Sequence, residues 1–348
     1  MVKTREYWLQ LENQPWDASP WGVDRTSGKI LTRRADELFR GVSEDVLRIR
    51  RYEENWAAPA ALPVNPWDLT EPDNGGAAGA FPGAVLTAKV ADEIKVHFRN
   101  MDQRANLPAE QRVHSLHAHG VQRRPIYDGA YPLSPPDLQQ NNRRGDRIGP
   151  GESFTYLWSC PQKAAAGAWL FHDAALAGPQ STALGAFGVL LIRGPGEMEP
   201  DQPASALRRA GDVATAFSDV PKPPRQSEYV LVFHRLPGVG LCLNGRQTLG
   251  NTPTLVAGFG TRMRVHCLNA TAAPLTVHIH GHRWERGDSY TDAEVLPSGG
   301  GATLSILSGS AENGGGMGEW LIDGAAAGDN IQGSLLVTAG GAVTLASG

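Results

Sequence analysis

Short runs of β-branched or alternating apolar residues, each closed by turn residues, dominate this chain. They fall at 85–90, 93–98, 153–158, 187–192, 229–234, 262–268, 275–280, 302–306 and 333–337. A period of two is the mark of a strand with one buried face. Helical periodicity is confined to a short candidate at 34–40. Glycine (41) and proline (25) are scattered rather than repeated, so the chain reverses direction often. The pattern predicts an all-β protein made of sandwiches of short antiparallel strands.

The 348 residues suffice for two domains with their own cores. A formal net charge of −4 argues against a nucleic-acid surface. The basic pairs Arg123-Arg124 and Arg143-Arg144 read as solvated loop charges. No apolar run approaches the ~18–20 residues of a membrane span. The N-terminal residues carry no apolar signal core. Cys160, Cys242 and Cys267 form neither a disulfide framework nor a CxxC motif. The expectation is a cytoplasmic protein in a reducing compartment, with no membrane and no nucleic-acid partner.

Composition shifts at 194–224, which is rich in Pro, Gly, Ala and charge. This places a linker at 197–225 between domains at 1–196 and 226–348. The two sides match in order. The first carries His117-Ala118-His119-Gly120 and later Trp169-Leu170. The second carries His278-Ile279-His280-Gly281 and later Trp320-Leu321. That is an internal duplication of weak identity.

Residues i and i+2 of a strand share a face, roughly 6.5–7 Å apart. A His-x-His pair therefore sets two imidazoles side by side, a donor set for copper, zinc or iron. The glycine after each pair lets another group approach closely. Two such pairs at matching points make His117, His119, His278 and His280 candidate metal ligands. His97, His234 and His266 lie in apolar strands and read as hydrogen-bonded strand residues.

The chain resembles the multicopper oxidases, especially the two-domain laccases and the ceruloplasmin-like branch, over nearly its whole length. Ser115-Leu116-His117-Ala118-His119-Gly120 matches that family's first copper motif, and His278-Ile279-His280-Gly281-His282-Arg283-Trp284 its third. Gly151-Glu152-Ser153-Phe154-Thr155-Tyr156 precedes the second. The resemblance implies two cupredoxin-like Greek-key sandwiches and adds His172 to the ligand set. It also shows departures. The second motif reads His172-Asp173-Ala174, where His-x-His is expected, and the fourth reads Asp323-Gly324-Ala325, where His-Cys-His is expected. The type 1 cysteine thus falls on Gly324 and a type 1 histidine on Leu275. Five cluster histidines remain: His117, His119, His172, His278 and His280. A blue copper site needs a thiolate, so none is expected. Asp128 matches a carboxylate that assists proton delivery in two-domain laccases, and it also reads as an Asp-Gly turn. Asp323 has three roles open: ligand, orienting partner or surface carboxylate. His114 and His282 read as lying outside the ligand set.

The function implied is a copper-dependent oxidoreductase with a type 2-like centre. One copper per site, with two as the upper count, would bind substrate or O2 directly. The first choice of ligands is His117, His278 and one neighbour; zinc shares the same imidazole chemistry. The substrate would be a small organic molecule of the secondary-metabolite kind. A non-catalytic metal-binding scaffold and a nitrite-reductase-like enzyme are the alternatives. The resemblance further implies a homotrimer whose metal sites form between the first domain of one subunit and the second of the next.

Overall fold

In the computed structural model, residues 3–20, 22–31, 42–60, 81, 83–130, 145–161, 163–175, 178–195, 226–309, 315–326 and 328–339 are described. The expected linker and the helical candidate at 34–40 lie outside them, as do Arg143 and Arg144. The first half contains β1 (Thr4–Asp17), β2 (Val23–Asp24), β3 (Lys29–Ile30), β4 (Val42–Tyr52), β5 (Val85–Lys89), β6 (Glu93–Met101), β7 (His117–Ala118), β8 (Ser153–Ser159), β9 (Gly167–His172) and β10 (Phe187–Arg193). The second contains β11 (Gln226–Leu236), β12 (Gly240–Leu243), β13 (Thr254–Gly258), β14 (Arg262–Asn269), β15 (Leu275–Ile279), β16 (Trp284–Arg286), β17 (Ser289–Thr291), β18 (Ala293–Leu296), β19 (Gly301–Leu307), β20 (Gly318–Ala326) and β21 (Asp329–Thr338). Every run read from the sequence as a strand overlaps one of these.

Each half is a pair of sheets. The first pairs β4-β1-β6-β8 with β5-β10-β9-β7, and the second pairs β12-β11-β14-β19-β16-β17 with β13-β21-β20-β15-β18. The duplication shows in the strand pairing of the central sheets. The parallel pair β1/β6 corresponds to β11/β14, and the parallel pair β5/β10 to β13/β21. Side chains repeat as well. His97 bonds Thr155 Oγ1 (2.9 Å) and Glu6 (2.7 Å), and His266 bonds Thr303 Oγ1 (2.8 Å) and Glu228 (2.8 Å). Both are hydrogen-bonded strand residues, as their apolar setting suggested.

Strand β6 shows the alternation that makes a sandwich: Ile94, Val96 and Phe98 point inward among Leu9, Leu11, Tyr156 and Phe171. Strand β10 is buried along its whole length. Its Leu190 and Ile192 belong to the first core, and its Phe187, Val189 and Leu191 to the second. Burial on both faces is why this run is uniformly apolar. Burying each of those side chains contributes about 1.5–3 kcal/mol. Trp16 also reaches the second half, donating Nε1–H to Gly245 O (2.7 Å) between the guanidinium groups of Arg48 (5.1 Å) and Arg246 (4.5 Å).

Candidate metal centre

In the first half, His117 of β7 stands in register opposite His172 of β9. His119 is fixed two residues on, where its backbone N–H donates to Leu170 O (2.9 Å). The three rings gather with centroids 5.2, 5.6 and 5.3 Å apart. The Nε2 atoms of His119 and His172 are 3.1 Å apart. His117 Nδ1 lies 2.9 Å from Asp128 O, and His172 Nδ1 lies 2.9 Å from Asp173 O. A carbonyl only accepts, so each Nδ1 carries the proton and each Nε2 keeps its lone pair. Burial, then the neighbouring His172 and His117, lower His119 to about 4. Burial and the Arg123 cation lower His117. Both imidazoles are therefore neutral near pH 7, the form that ligates.

Behind this trio lies a buried ionic cluster. His114 Nδ1 contacts Asp173 Oδ2 (2.5 Å) and its Nε2 contacts Asp102 Oδ2 (2.9 Å). Arg104 Nη2 donates to Asp102 (2.7 Å), and Ser115 N–H donates to Asp173 (2.9 Å). Burial alone would lower His114, but the two carboxylates carry it up to about 9. His114 is thus a buried positioning group: it anchors Asp173, whose carbonyl orients His172.

Arg123, read from sequence as solvated, is pinned against the trio. It donates Nε–H to Asp128 (2.6 Å) and Nη1–H to Ala118 O (2.7 Å), and its Nη2 lies 3.2 Å from both nitrogens of His117. Three fixed acceptors outweigh the hydration that a loop arginine otherwise keeps. Asp128 holds Arg123 with Oδ1 and places Oδ2 3.5 Å from His117 Nδ1. The turn reading also holds, since Gly129 has φ +76° and any Cβ there would meet Leu116 O.

The second half builds the same frame. His280 N–H donates to Leu321 O (2.9 Å), and His278 of β15 stands opposite Asp323 of β20. The His278 and His280 rings lie 4.3 Å apart. His280 Nε2 is 2.5 Å from Asp323 Oδ2, and Gln332 donates to Asp323 Oδ1 (3.0 Å). One ligand atom from each of His278, His280 and Asp323 falls within 4.8 Å of the others. His282 is buried outside this group, with Nδ1 on His280 O (2.9 Å) and Nε2 accepting from Gly309 N–H (3.0 Å).

No hydrogen bond, ion pair or ring contact joins the two trios among the described residues. Leu275 is buried. At Gly324 a Cβ would lie 2.3 Å from the Phe233 ring. Cys160, Cys242 and Cys267 are buried elsewhere.

The His278, His280 and Asp323 group, and the nitrogen pair of His119 and His172 beside His117, suit a borderline metal ion. Ligand nitrogens each ~2.0–2.1 Å from one ion at a near-tetrahedral angle lie ~3.3 Å apart, close to the 3.1 Å between His119 and His172. Residues 64–197 match the family model described as multicopper oxidase. The mouse (Mus musculus) ferroxidase HEPHL1 is 25% identical over 205 residues, covering 54% of this chain, which spans 16% of that relative's length. A solved multicopper oxidase superposes at a TM-score of 0.58 with 16% identity, covering 96% of this chain and 89% of that one. The copper nitrite reductase of Nitrosomonas europaea gives 0.58 with 15% identity, covering 97% and 94%. The stretch that holds His117, His119 and His172 matches the multicopper oxidase family model, and the chain as a whole shares the fold of solved multicopper oxidases.

Proposed function

We propose that this protein is a copper-dependent oxidoreductase whose imidazole-bound copper meets its substrate or dioxygen directly. The observation that carries this reading is the convergence of His117, His119 and His172, with two Nε2 atoms 3.1 Å apart and the Nδ1 protons of His117 and His172 held on backbone carbonyls. Copper held there supplies one-electron redox chemistry and an open coordination position. The chain supplies the rest. Asp128 and Arg123 fix the orientation of His117, and Asp128 is the carboxylate nearest to carry a proton. With a phenyl ring filling the space beside Gly324 and every thiol in a core, no thiolate relay is built into this reading. The substrate therefore has to reach the centre itself, which favours a small organic molecule. A nitrite-reductase-like reaction is the second reading, favoured by Arg123, a fixed cation that suits a small anion.

The proposal includes a homotrimer in which the outer face of β15 and β20 covers the His117 trio of the next subunit. Two features of that face support it. His278 and His280 are 35% and 41% exposed, and Val295, whose partner Thr276 shares the face of His278, is 58% exposed.

The test is copper content and electron paramagnetic resonance on protein made with copper, with mass in solution measured alongside. The expected result is a type 2 signal without intense blue absorption, lost in His119→Ala and in His172→Ala. Unchanged copper in those variants, or a blue chromophore, would overturn the reading. A copper-loaded monomer would remove the trimer.

A further inference from the structure

We infer that the outer face of β1 and β6 is a docking site for an arginine side chain of another protein, with Glu6 receiving the guanidinium. The duplication supplies the template. On β11 and β14 of the second half, Glu228, Arg264 and His266 share a face, and His266 is held by Thr303. Glu6, Lys95 and His97 take the same register positions on β1 and β6, with Thr155 in the place of Thr303. In the second half that face is covered by β10 of the first, and Arg193 at the end of β10 lays both terminal nitrogens on Glu228. Among the described residues no guanidinium reaches Glu6, which is 39% exposed.

The open face fits that missing group. Lys95 Nζ (2.7 Å) and His97 Nε2 (2.7 Å) both contact Glu6 Oε1, and no hydrogen bond among the described residues reaches Oε2. In the filled template the matching cation, Arg264, stands off at 3.9 Å from Glu228, so Lys95 has room to retreat in the same way. An exposed lysine pair holds weakly, whereas a planar guanidinium takes both carboxylate oxygens at once. The face is also aromatic where the template is aliphatic. Trp8 stands in the register position of Val230 and stacks on His97, ring centroids 4.7 Å apart. Trp56 stands edge-on to the same imidazole at 6.4 Å. Two residues of positive φ carry it there, Asn55 (+56°) and Trp56 itself (+55°), and its Nε1–H donates to Leu9 O (2.8 Å). Backbone strain of this kind persists only where the surroundings hold it, and it gathers at binding sites. Arg99 already lies over the Trp56 ring at 4.9 Å, so this indole accepts a guanidinium on its face.

The occupant is another protein rather than a second copy. A head-to-tail repeat of the template would offer β21, the counterpart of β10. Thr338 stands in β21 where Arg193 stands in β10, so no arginine is presented. Ser334 and Leu336, on the same face as Thr338, are already buried within the chain. Gln10 and Arg99 replace Val232 and Leu268 beside the site, which suits a partner that also exists free in water. The site belongs to the sheet opposite β7 and β9, so the trimer contact proposed above does not use it.

The probe is acetyl-arginine methylamide, titrated into the whole protein labelled with 5-fluorotryptophan. Trp8→Phe and Trp56→Phe assign the two fluorine signals. The expected result is a saturable shift of both signals in the millimolar range, with acetyl-lysine methylamide weaker by about threefold or more. Glu6→Gln should weaken arginine binding by about fivefold or more, and Glu6→Asp should recover part of it. No shift, an equal response to the lysine compound, or unchanged affinity in Glu6→Gln would overturn the inference. Self-association abolished by Glu6→Gln would give the face to a second copy and overturn the choice of partner.

Discussion

Trp320 lies directly beneath Gly281, so close that a Cβ on that glycine would fall 2.6 Å from the indole ring. Trp169 lies beneath Gly120 in the same way, at 2.4 Å, and both glycines have positive φ, +67° and +73°. The indoles are tied to the same place in each half, Trp320 Nε1–H donating to Gly316 O (3.2 Å) and Trp169 Nε1–H to Ala165 O (2.7 Å). The glycine after each His-x-His pair is thus required twice, by backbone conformation and by the ring below it.

Gly120→Ala is expected to destabilise the protein by about 1–3 kcal/mol, from overpacking and from strain at positive φ. It should also shift His119 and lower copper content. Urea denaturation and metal analysis of the same preparation check both. Gly28→Ala, also at positive φ but with open space around it, should leave copper unchanged.

His114 sets a dependence on alkaline pH. Its folded value of about 9 lies above the ordinary 6.5. The raised value means its contribution is complete below about 6.5 and is lost as pH rises through about 9. That shift corresponds to about 3 kcal/mol. The urea midpoint should therefore fall between pH 7 and pH 10. In Asp173→Asn, which removes one of the two carboxylates facing His114, the fall should be smaller on a less stable protein. Equal falls in the two proteins would show that another group is responsible.

Glu228 joins the halves at a buried ion pair. It meets both terminal nitrogens of Arg193 and accepts from His266 (2.8 Å). Glu228→Ala leaves Arg193, 8% exposed, without that carboxylate, and should destabilise by about 3 kcal/mol. Thermal unfolding measures this. Copper on the His117 trio should persist below the lowered transition.

Arg123 opposes metal entry at His117, since its Nη2 approaches both ring nitrogens. Arg123→Gln is expected to tighten copper severalfold while weakening azide or nitrite binding to the loaded centre. Isothermal titration with copper and then with azide separates the two effects.

The strands were legible because the runs at 93–98 and 275–280 alternate, and alternation survives whatever covers the other face. Strand β10 was legible as a strand but not as a shared wall, because a uniformly apolar run does not say which core each side chain enters. The hairpin of β2 and β3 went unread: two-residue strands carry no periodicity. Within the site, the paired histidines gave themselves away by spacing. Asp323 could not be assigned a role, because its role depends on the register of β15 against β20. Arg123 was misread because its acceptors, Asp128 and the Ala118 carbonyl, converge only once the chain has turned. Asp102 gave no sign of its link to His114, since no regular element sets that spacing.

Strand β10 and Trp16 carry a consequence for anyone dividing this molecule. Phe187, Val189 and Leu191 fill the hydrophobic interior of a half to which their strand does not belong. A C-terminal fragment beginning at residue 226 would expose that interior to water, and should precipitate or pair with another copy. The boundary visible along the polypeptide is therefore a poor guide to where the molecule can be cut.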